Sequence, residues 1–424
     1  LRRKAMVARN KGAAGVIMVV GPVDDPDSKL IGFSFDRGMG TSGIAAATMN
    51  WKTFDSLLQP LGKDIKTIQE SINSTKQPQS FELTGVTARM QMHTVKIYAK
   101  SSNVLGYLEG SDPTLKNEVV AIGAHFDHLG MGGEGSMKPD TVALHPGADD
   151  NGSGTAGLLE LAQYCAAHKS EFKRSLLFLA FTGEELGTLG SQFYVDSPTV
   201  PIANTIAMLN MDMIGRLKDS TLDVEGVGTA PNFEAIVKEV SKDPALKLTF
   251  KQDGYGPSDQ SAFYSKGIPV LFFFTGTHRE YHTPNDTWDK INYEGEQKII
   301  TLVSRIVSEI ANLAEKPSYI KVASTPMGGG GGDRPGNSAT LGIVPDMASD
   351  VVGLRISGTR KDGPAEKAGL LEGDVIVKFD SKDVKNIYDY MYVLQDHKPG
   401  DEVEVMVKRG TQEVTVKAKL SSRK

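Results

Sequence analysis

The chain has 424 residues, a formal net charge of −5, 39% hydrophobic and 23% charged residues, an ordinary globular composition with room for about three domains at ~150 residues each. The mild acidity gives no reason to expect nucleic acid or an anionic membrane as a partner, and no apolar run is long enough to span a bilayer. A single cysteine, Cys165, excludes an intrachain disulfide. It lies in the helical run GLLELAQYCAAH and reads as a small core residue rather than a thiolate ligand.

The sequence opens at Leu1 on LRRKAMVARNKGAAGVIMVV, a helix entering a strand, which gives the expectation of a fragment or processed form. Residues 1–80 alternate strands (AGVIMVV, GIAAATMN) with helical pattern (TFDSLLQPLG), and the polar stretch INSTKQPQS reads as a boundary. Residues 81–317 hold the largest unit. Its strand-like runs are EVVAIGA (118–124), SLLFLAF (175–181), TIAMLNMD (205–212) and IPVLFFF (268–274), separated by helices such as SGTAGLLELAQYCAAH and NFEAIVKEVSK. Continuous apolar strands alternating with helices predict an α/β fold, a central sheet covered on both faces. The unit closes with a helix, GEQKIITLVSRIVSEIANLAEK. Residues 318–337, with five consecutive glycines, read as a linker, and 338–424 as a final module ending in a strand pair with a turn at Arg409-Gly410.

Ligand-type residues recur just beyond the predicted strands: His125 in GAHFDHLG, Asp150 in GADDNGSG, Glu185 in FTGEELG, Asp212 in LNMDMIG and His282 in EYHTPNDT. Ligands of open α/β sheets bind beyond the carboxyl ends of the strands, so these residues predict one shared site. Two imidazoles and three carboxylates suit two divalent metals, the carboxylates going far to neutralise them. Asp127 is placed to orient His125 from behind. Of the adjacent pair, Asp150 is the expected bridge between metals from the pattern Asp-x-x-Ser-Gly, with Asp149 the alternative. Glu184, beside the ligand Glu185, is the expected general base, taking a proton from the attacking water and passing it to the leaving amine. His128, His145 and His278 lie near these motifs but are not expected as ligands. Leu271-Phe272-Phe273-Phe274 could line an apolar side-chain pocket, although most of it reads as core strand.

Together GAHFDHLG, GADDNGSG, FTGEELGTLGSQFYV, LNMDMIGR and YHTPNDTWDKIN resemble the M28 family of dizinc metallopeptidases. The resemblance implies a mixed β-sheet with helices on both faces and two Zn2+, with Co2+ or Mn2+ able to occupy the same ligands. It implies peptide substrates and aminopeptidase activity. It carries over metal ligands His125, Asp150, Glu185, Asp212 and His282, the base Glu184, and Asp127 behind His125. A carboxypeptidase or dipeptidase of the same family, and a non-catalytic peptide-binding protein, are the alternative readings. KAMVARNKGAAGVIMVV resembles the later part of a protease-associated (PA) domain. LGIVPD and GPAEKAGLLEGDVIVKFD resemble a bacterial-type PDZ domain, which would take a peptide or protein ligand. Gln260, in Ser258-Asp259-Gln260, departs from the Ser-Asp-His of many relatives. The family likeness also gives the expectation of a periplasmic or secreted protein.

Overall fold

Apolar β-branched and aromatic runs make the strands of this protein, and apolar residues at helical spacing make the helices packed on them. The computed structural model describes residues 2–31, 43–91, 99–133, 135–138, 140–242, 246–322, 339–346 and 351–422. The chain divides into two units, 1–99 and 100–424.

In the first unit, α1 (Arg2–Asn10) leads to β1 (Gly15–Met18), which pairs in parallel with β2 (Ala45–Thr48). Helices α2 (Trp51–Leu58) and α3 (Ile65–Thr75) follow, each capped by a side chain: Asn50 accepts the Thr53 N–H and Asp64 the Thr67 N–H. Helix α3 extends through the INST of the polar stretch expected to be irregular. It stops at Lys76, whose backbone is left-handed at φ 55°.

The second unit is built on β3 (Val104–Leu108), β4 (Val119–His125), α4 (Gly154–Ala167), β5 (Ser175–Phe181), α5 (Leu189–Asp196), β6 (Thr205–Met211), β7 (Thr221–Glu225), α6 (Phe233–Val240), β8 (Lys247–Lys251), α7 (Gln260–Ser265), β9 (Val270–Phe274) and α8 (Tyr293–Asn312). Seven strands form one sheet in the order β3-β5-β4-β6-β9-β7-β8. The central strands β5, β4, β6 and β9 run parallel, while β3 pairs antiparallel with β5 and β7 antiparallel with β9, β8 running parallel to β7. The sheet is therefore mixed. Alternate residues of each central strand feed two cores. Val120 and Ile122 face α4, α6 and α8, whereas Val119 and Ala121 face α5 and α7. Burial on both faces explains why these strands read as unbroken apolar runs. Cys165 is fully buried in the first core, and burial pushes its thiol up to about 12.

Residues 319–322, which the sequence placed in a linker, are packed: the Ile320 N–H donates to the Thr229 carbonyl and the Val322 N–H to the Tyr264 hydroxyl. The glycine run lies outside the described residues. The last module comprises β10 (Ala339–Thr340), β11 (Ile343–Pro345), β12 (Leu354–Thr359), α9 (Pro364–Lys367), β13 (Val375–Phe379), β14 (Lys382–Asp383), α10 (Ile387–Leu394), β15 (Glu402–Arg409), β16 (Gln412–Lys419) and β17 (Ser421–Ser422). An antiparallel sheet β11-β12-β13-β15-β16 and α10 enclose its own core. Arg409 pairs with Gln412, so the hairpin turn is Gly410-Thr411, one residue later than expected, with Gly410 at φ 61°. No helix among the described residues is long and apolar enough to cross a membrane.

Candidate metal centre

The four parallel strands end on the same side of the sheet, and their carboxyl ends carry the site. His125 is the last residue of β4, Asp212 follows β6, Glu184 and Glu185 follow β5 after a short turn, and His282 comes from the loop after β9. Asp150 lies in the segment leading into α4. Two groups of ligand atoms form, each with its atoms within 4.8 Å of one another: His125, Asp150 and Asp212; and His128, Asp150, Glu185 and His282. Asp150 belongs to both. Its Oδ1 lies 3.4 Å from His125 Nε2 and its Oδ2 3.1 Å from His282 Nε2. In the first group, His125 Nε2 is 3.6 Å from Asp212 Oδ2. In the second, His282 Nε2 is 3.2 Å from Glu185 Oε2. All five expected ligand residues are thus brought together.

Glu184 stands at the edge of the first group, its Oε2 3.9 Å from His125 Nε2. Asp127 accepts the backbone N–H groups of Glu184 at 3.1 Å and Glu185 at 3.3 Å. Asp149 points elsewhere: its Oδ1 accepts the Gly215 N–H at 2.7 Å and the Ser153 hydroxyl at 3.0 Å. His128, not expected from sequence, joins the second group, its Nδ1 2.7 Å from Glu185 Oε1. The only sequence signal for it was its place three residues after His125. Asp286 was also missed as a functional residue. It is fully buried and accepts the backbone N–H groups of both Asp149 and Asp150, fixing the loop that carries the shared carboxylate. The apolar run before the His282 loop is mostly core: Leu271 and Phe273 are buried between sheet and helices, and only Phe274 is partly exposed.

Three residues in or beside the site hold strained backbone. His282, Met213 and Thr188 all adopt left-handed φ, between 52° and 55°, a conformation costly for residues with a Cβ and concentrated at functional sites. His282 is held there by its Nδ1, 2.7 Å from the Gly135 carbonyl, and by Tyr281 stacked on its ring.

The electrostatics describe a site for cations. Burial opposes the imidazolium of His125. The Asp212 charge and the nearby carboxylate of Asp150 override it and raise the group well above its usual value. His282 behaves alike: burial opposes its charge, but Asp150 and Glu185 lift it to about 10. Burial pushes Glu184 well above the carboxylate range, against the pull of His125 and with Asp259, Asp212 and Glu185 adding to the effect. His125 Nε2 and Asp212 Oδ1 are buried without a hydrogen-bond partner. Buried polar atoms need partners, and imidazole nitrogen facing carboxylate oxygen is the donor set of zinc. The residues fit a divalent metal in each group.

Comparison with known proteins agrees with this chemistry. Residues 103–307 match peptidase family M28, and residues 339–420 match the PDZ domain. Similar proteins include aminopeptidase YwaD of Bacillus subtilis, 32% identical over 234 residues, covering 52% of this chain and 47% of that protein. Leucine aminopeptidase 2 of Arthroderma otae is 27% identical over 259 residues, covering 53% and 49%. The chain thus spans about half the length of the curated relatives it matches. Among solved structures, an aminopeptidase from Aneurinibacillus sp. strain AM-1 aligns over 75% of this chain and 68% of its own, at 23% identity and a TM-score of 0.47. A zinc aminopeptidase from Bacillus subtilis aligns over 49% of each chain, at 27% identity and a TM-score of 0.41. Residues 103–307 of this chain are thus similar to peptidase family M28, and residues 339–420 to the PDZ domain.

Proposed function

We propose that the protein is a metal-dependent aminopeptidase that removes N-terminal residues from peptides. The observation that carries this reading is the pair of ligand groups sharing Asp150, with the buried carboxyl of Glu184 at their edge. His125, Asp150 and Asp212 would hold one zinc ion, and Asp150, Glu185 and His282 the other. When bound, such a pair polarises the scissile carbonyl and acidifies water. Glu184, at the edge of the first ligand group, accepts a proton from the attacking water and returns it to the leaving amine. Asp127 fixes the turn that carries Glu184, and Asp286 fixes the loop that carries Asp150. That similar proteins are named aminopeptidases supports the exopeptidase choice. We also read residues 1–80 as part of a PA domain, from KAMVARNKGAAGVIMVV, which folds as α1 leading into β1.

The test is hydrolysis of paired peptides with free and acetylated N-termini by zinc-loaded protein. Cleavage confined to free N-termini, abolished by chelator and by Glu184→Gln, is the expected result. Equal cleavage of acetylated peptides, or cleavage unaffected by the chelator, would overturn the reading.

A further inference from the structure

The PDZ module sits on the M28-like domain through a face of β11 and β12. Val344 of β11 packs against the core cluster containing Tyr255, Phe263 and Tyr264. Gly358 of β12 lies opposite Val344 in register, just beyond an irregularity that separates it from Ile356. A Cβ at Gly358 would lie 2.3 Å from the Tyr255 hydroxyl oxygen and 3.3 Å from Cζ. A side chain at 358 would have to displace this ring. Two ion pairs flank the contact. Lys266, beside α7, lies 3.0 Å from Asp196 and 2.8 Å from Glu372 of the PDZ module. Lys321 reaches Glu366 at 2.6 Å and the Thr359 hydroxyl at 3.1 Å. The outer edge of β11 has no neighbour among the described strands.

What lies beneath Tyr255 gives the docking a consequence. Tyr255 crosses Tyr264 edge-on at 4.7 Å and begins the segment that runs through Ser258, Asp259 and Gln260 into α7. The Ser258 hydroxyl and the Gln260 side-chain carbonyl both accept hydrogen bonds from the Asn210 amide, at 2.9 and 3.1 Å. Asn210 is on β6, two residues before Asp212. Asp259, between Ser258 and Gln260, is fully buried. Gly254 and Gly256 leave no slack in this segment: a Cβ at either would strike Tyr264 or Gln260 within 2.6 Å.

We propose that Tyr255 is a positioning residue, through which the docked PDZ module holds segment 253–260 and hence the groups behind Glu184 and Asp212. The PDZ domain is thus part of the peptidase site's support as well as a recognition module. This inference rests on the aminopeptidase reading for its activity readout only.

The full chain carrying Gly358→Ala tests it, because the new methyl strikes the Tyr255 hydroxyl. The expected result is a fall in kcat of about tenfold or more, with KM changed less than about twofold, as for remote misplacement of a reacting group. Faster amide exchange over 253–260 should accompany it. Tyr255→Phe removes the oxygen that the methyl meets, so the G358A/Y255F protein should recover at least half of the lost kcat and the lost protection. Glu372→Lys, at an exposed position that leaves both cores intact, should lower kcat in the same direction. Unchanged kcat and exchange in both G358A and E372K, or no recovery in the double variant, would overturn the proposal. If wild-type protein cleaves no peptide, the aminopeptidase reading fails, and the exchange pattern of the G358A and G358A/Y255F proteins alone decides this inference.

Discussion

The carboxylate of Asp127 is bound to the backbone of Glu184, not to the imidazole it was expected to orient. Its Oδ1 accepts the Glu184 N–H at 3.1 Å, whereas it lies 3.7 Å from His125 Nδ1, which faces the Asp127 carbonyl at 3.1 Å instead. Because Oδ2 also accepts the Glu185 N–H, one side chain sets the turn on which the Glu184 and Glu185 side chains diverge.

Asp127→Ala should therefore lower kcat by about 10–100-fold, the usual range for groups supporting a metal site. Asp127→Asn keeps one acceptor oxygen and should fall between wild type and Asp127→Ala. Steady-state kinetics on a free-N-terminus peptide, with zinc content checked, measures both. Equal activity in all three proteins would remove Asp127 from the machinery.

The adjacent aspartates should separate cleanly. Asp149 holds the Gly215 N–H and the Ser153 hydroxyl, both buried, so Asp149→Ala should cost about 1–3 kcal/mol of stability while zinc content stays at its wild-type value. Asp150→Ala removes the one carboxylate common to both ligand groups, so zinc content should drop sharply. Elemental analysis and urea denaturation distinguish the two. Loss of zinc from the Asp149 variant alone would reverse the assignment.

A pH-dependent term should come from Glu296. It lines a cavity of about 840 Å³ between α4 and α8, and burial, then the Asp149 charge, pushes it up to about 7. A carboxyl raised above its unfolded value disfavours the ionised form in the fold. The penalty is absent below the unfolded value of about 4.3 and complete above 7, so stability falls as pH rises between them. Glu296→Gln should be more stable than wild type at pH 8 by roughly 1–2 kcal/mol, a figure reduced for solvent screening at the cavity wall. The difference should vanish near pH 4. Urea denaturation at both pH values checks it; a destabilised variant at pH 8 would contradict it.

Much of this was legible because one sheet imposes one rule. Strands buried on both faces must be apolar throughout, so SLLFLAF marks β5 to the residue, and the ligands follow at strand ends. What was hidden depended on contacts distant in sequence. Nothing local to Asp286 reveals that its carboxylate would hold the Asp149 and Asp150 amides, some 136 residues away. Neither does the sequence around Gly358 show that its missing side chain makes room for Tyr255. The end of α3 was misplaced because Ser and Thr favour loops by propensity yet form the last turn of a capped helix.

His128 joins the second ligand group although the sequence did not mark it as a ligand, and its geometry defines its part. Nδ1 meets Glu185 Oε1 at 2.7 Å, while Glu185 Oε2 faces His282, so His128 holds one oxygen of a carboxylate whose other oxygen points into the ligand group. Burial alone would raise Glu185. The hydrogen bonds with His128 and His282 instead keep it below its usual value, ionised and fit to bind a cation. His128→Ala should leave the His125–Asp150–Asp212 group intact and weaken zinc at the Glu185–His282 group by about 10–100-fold. A competitive chelator titration should then resolve one tight and one weakened zinc, against two tight ones expected for wild type. Equal weakening of both would mean that His128 acts through Asp150, and no weakening would confine it to packing against the His282 ring.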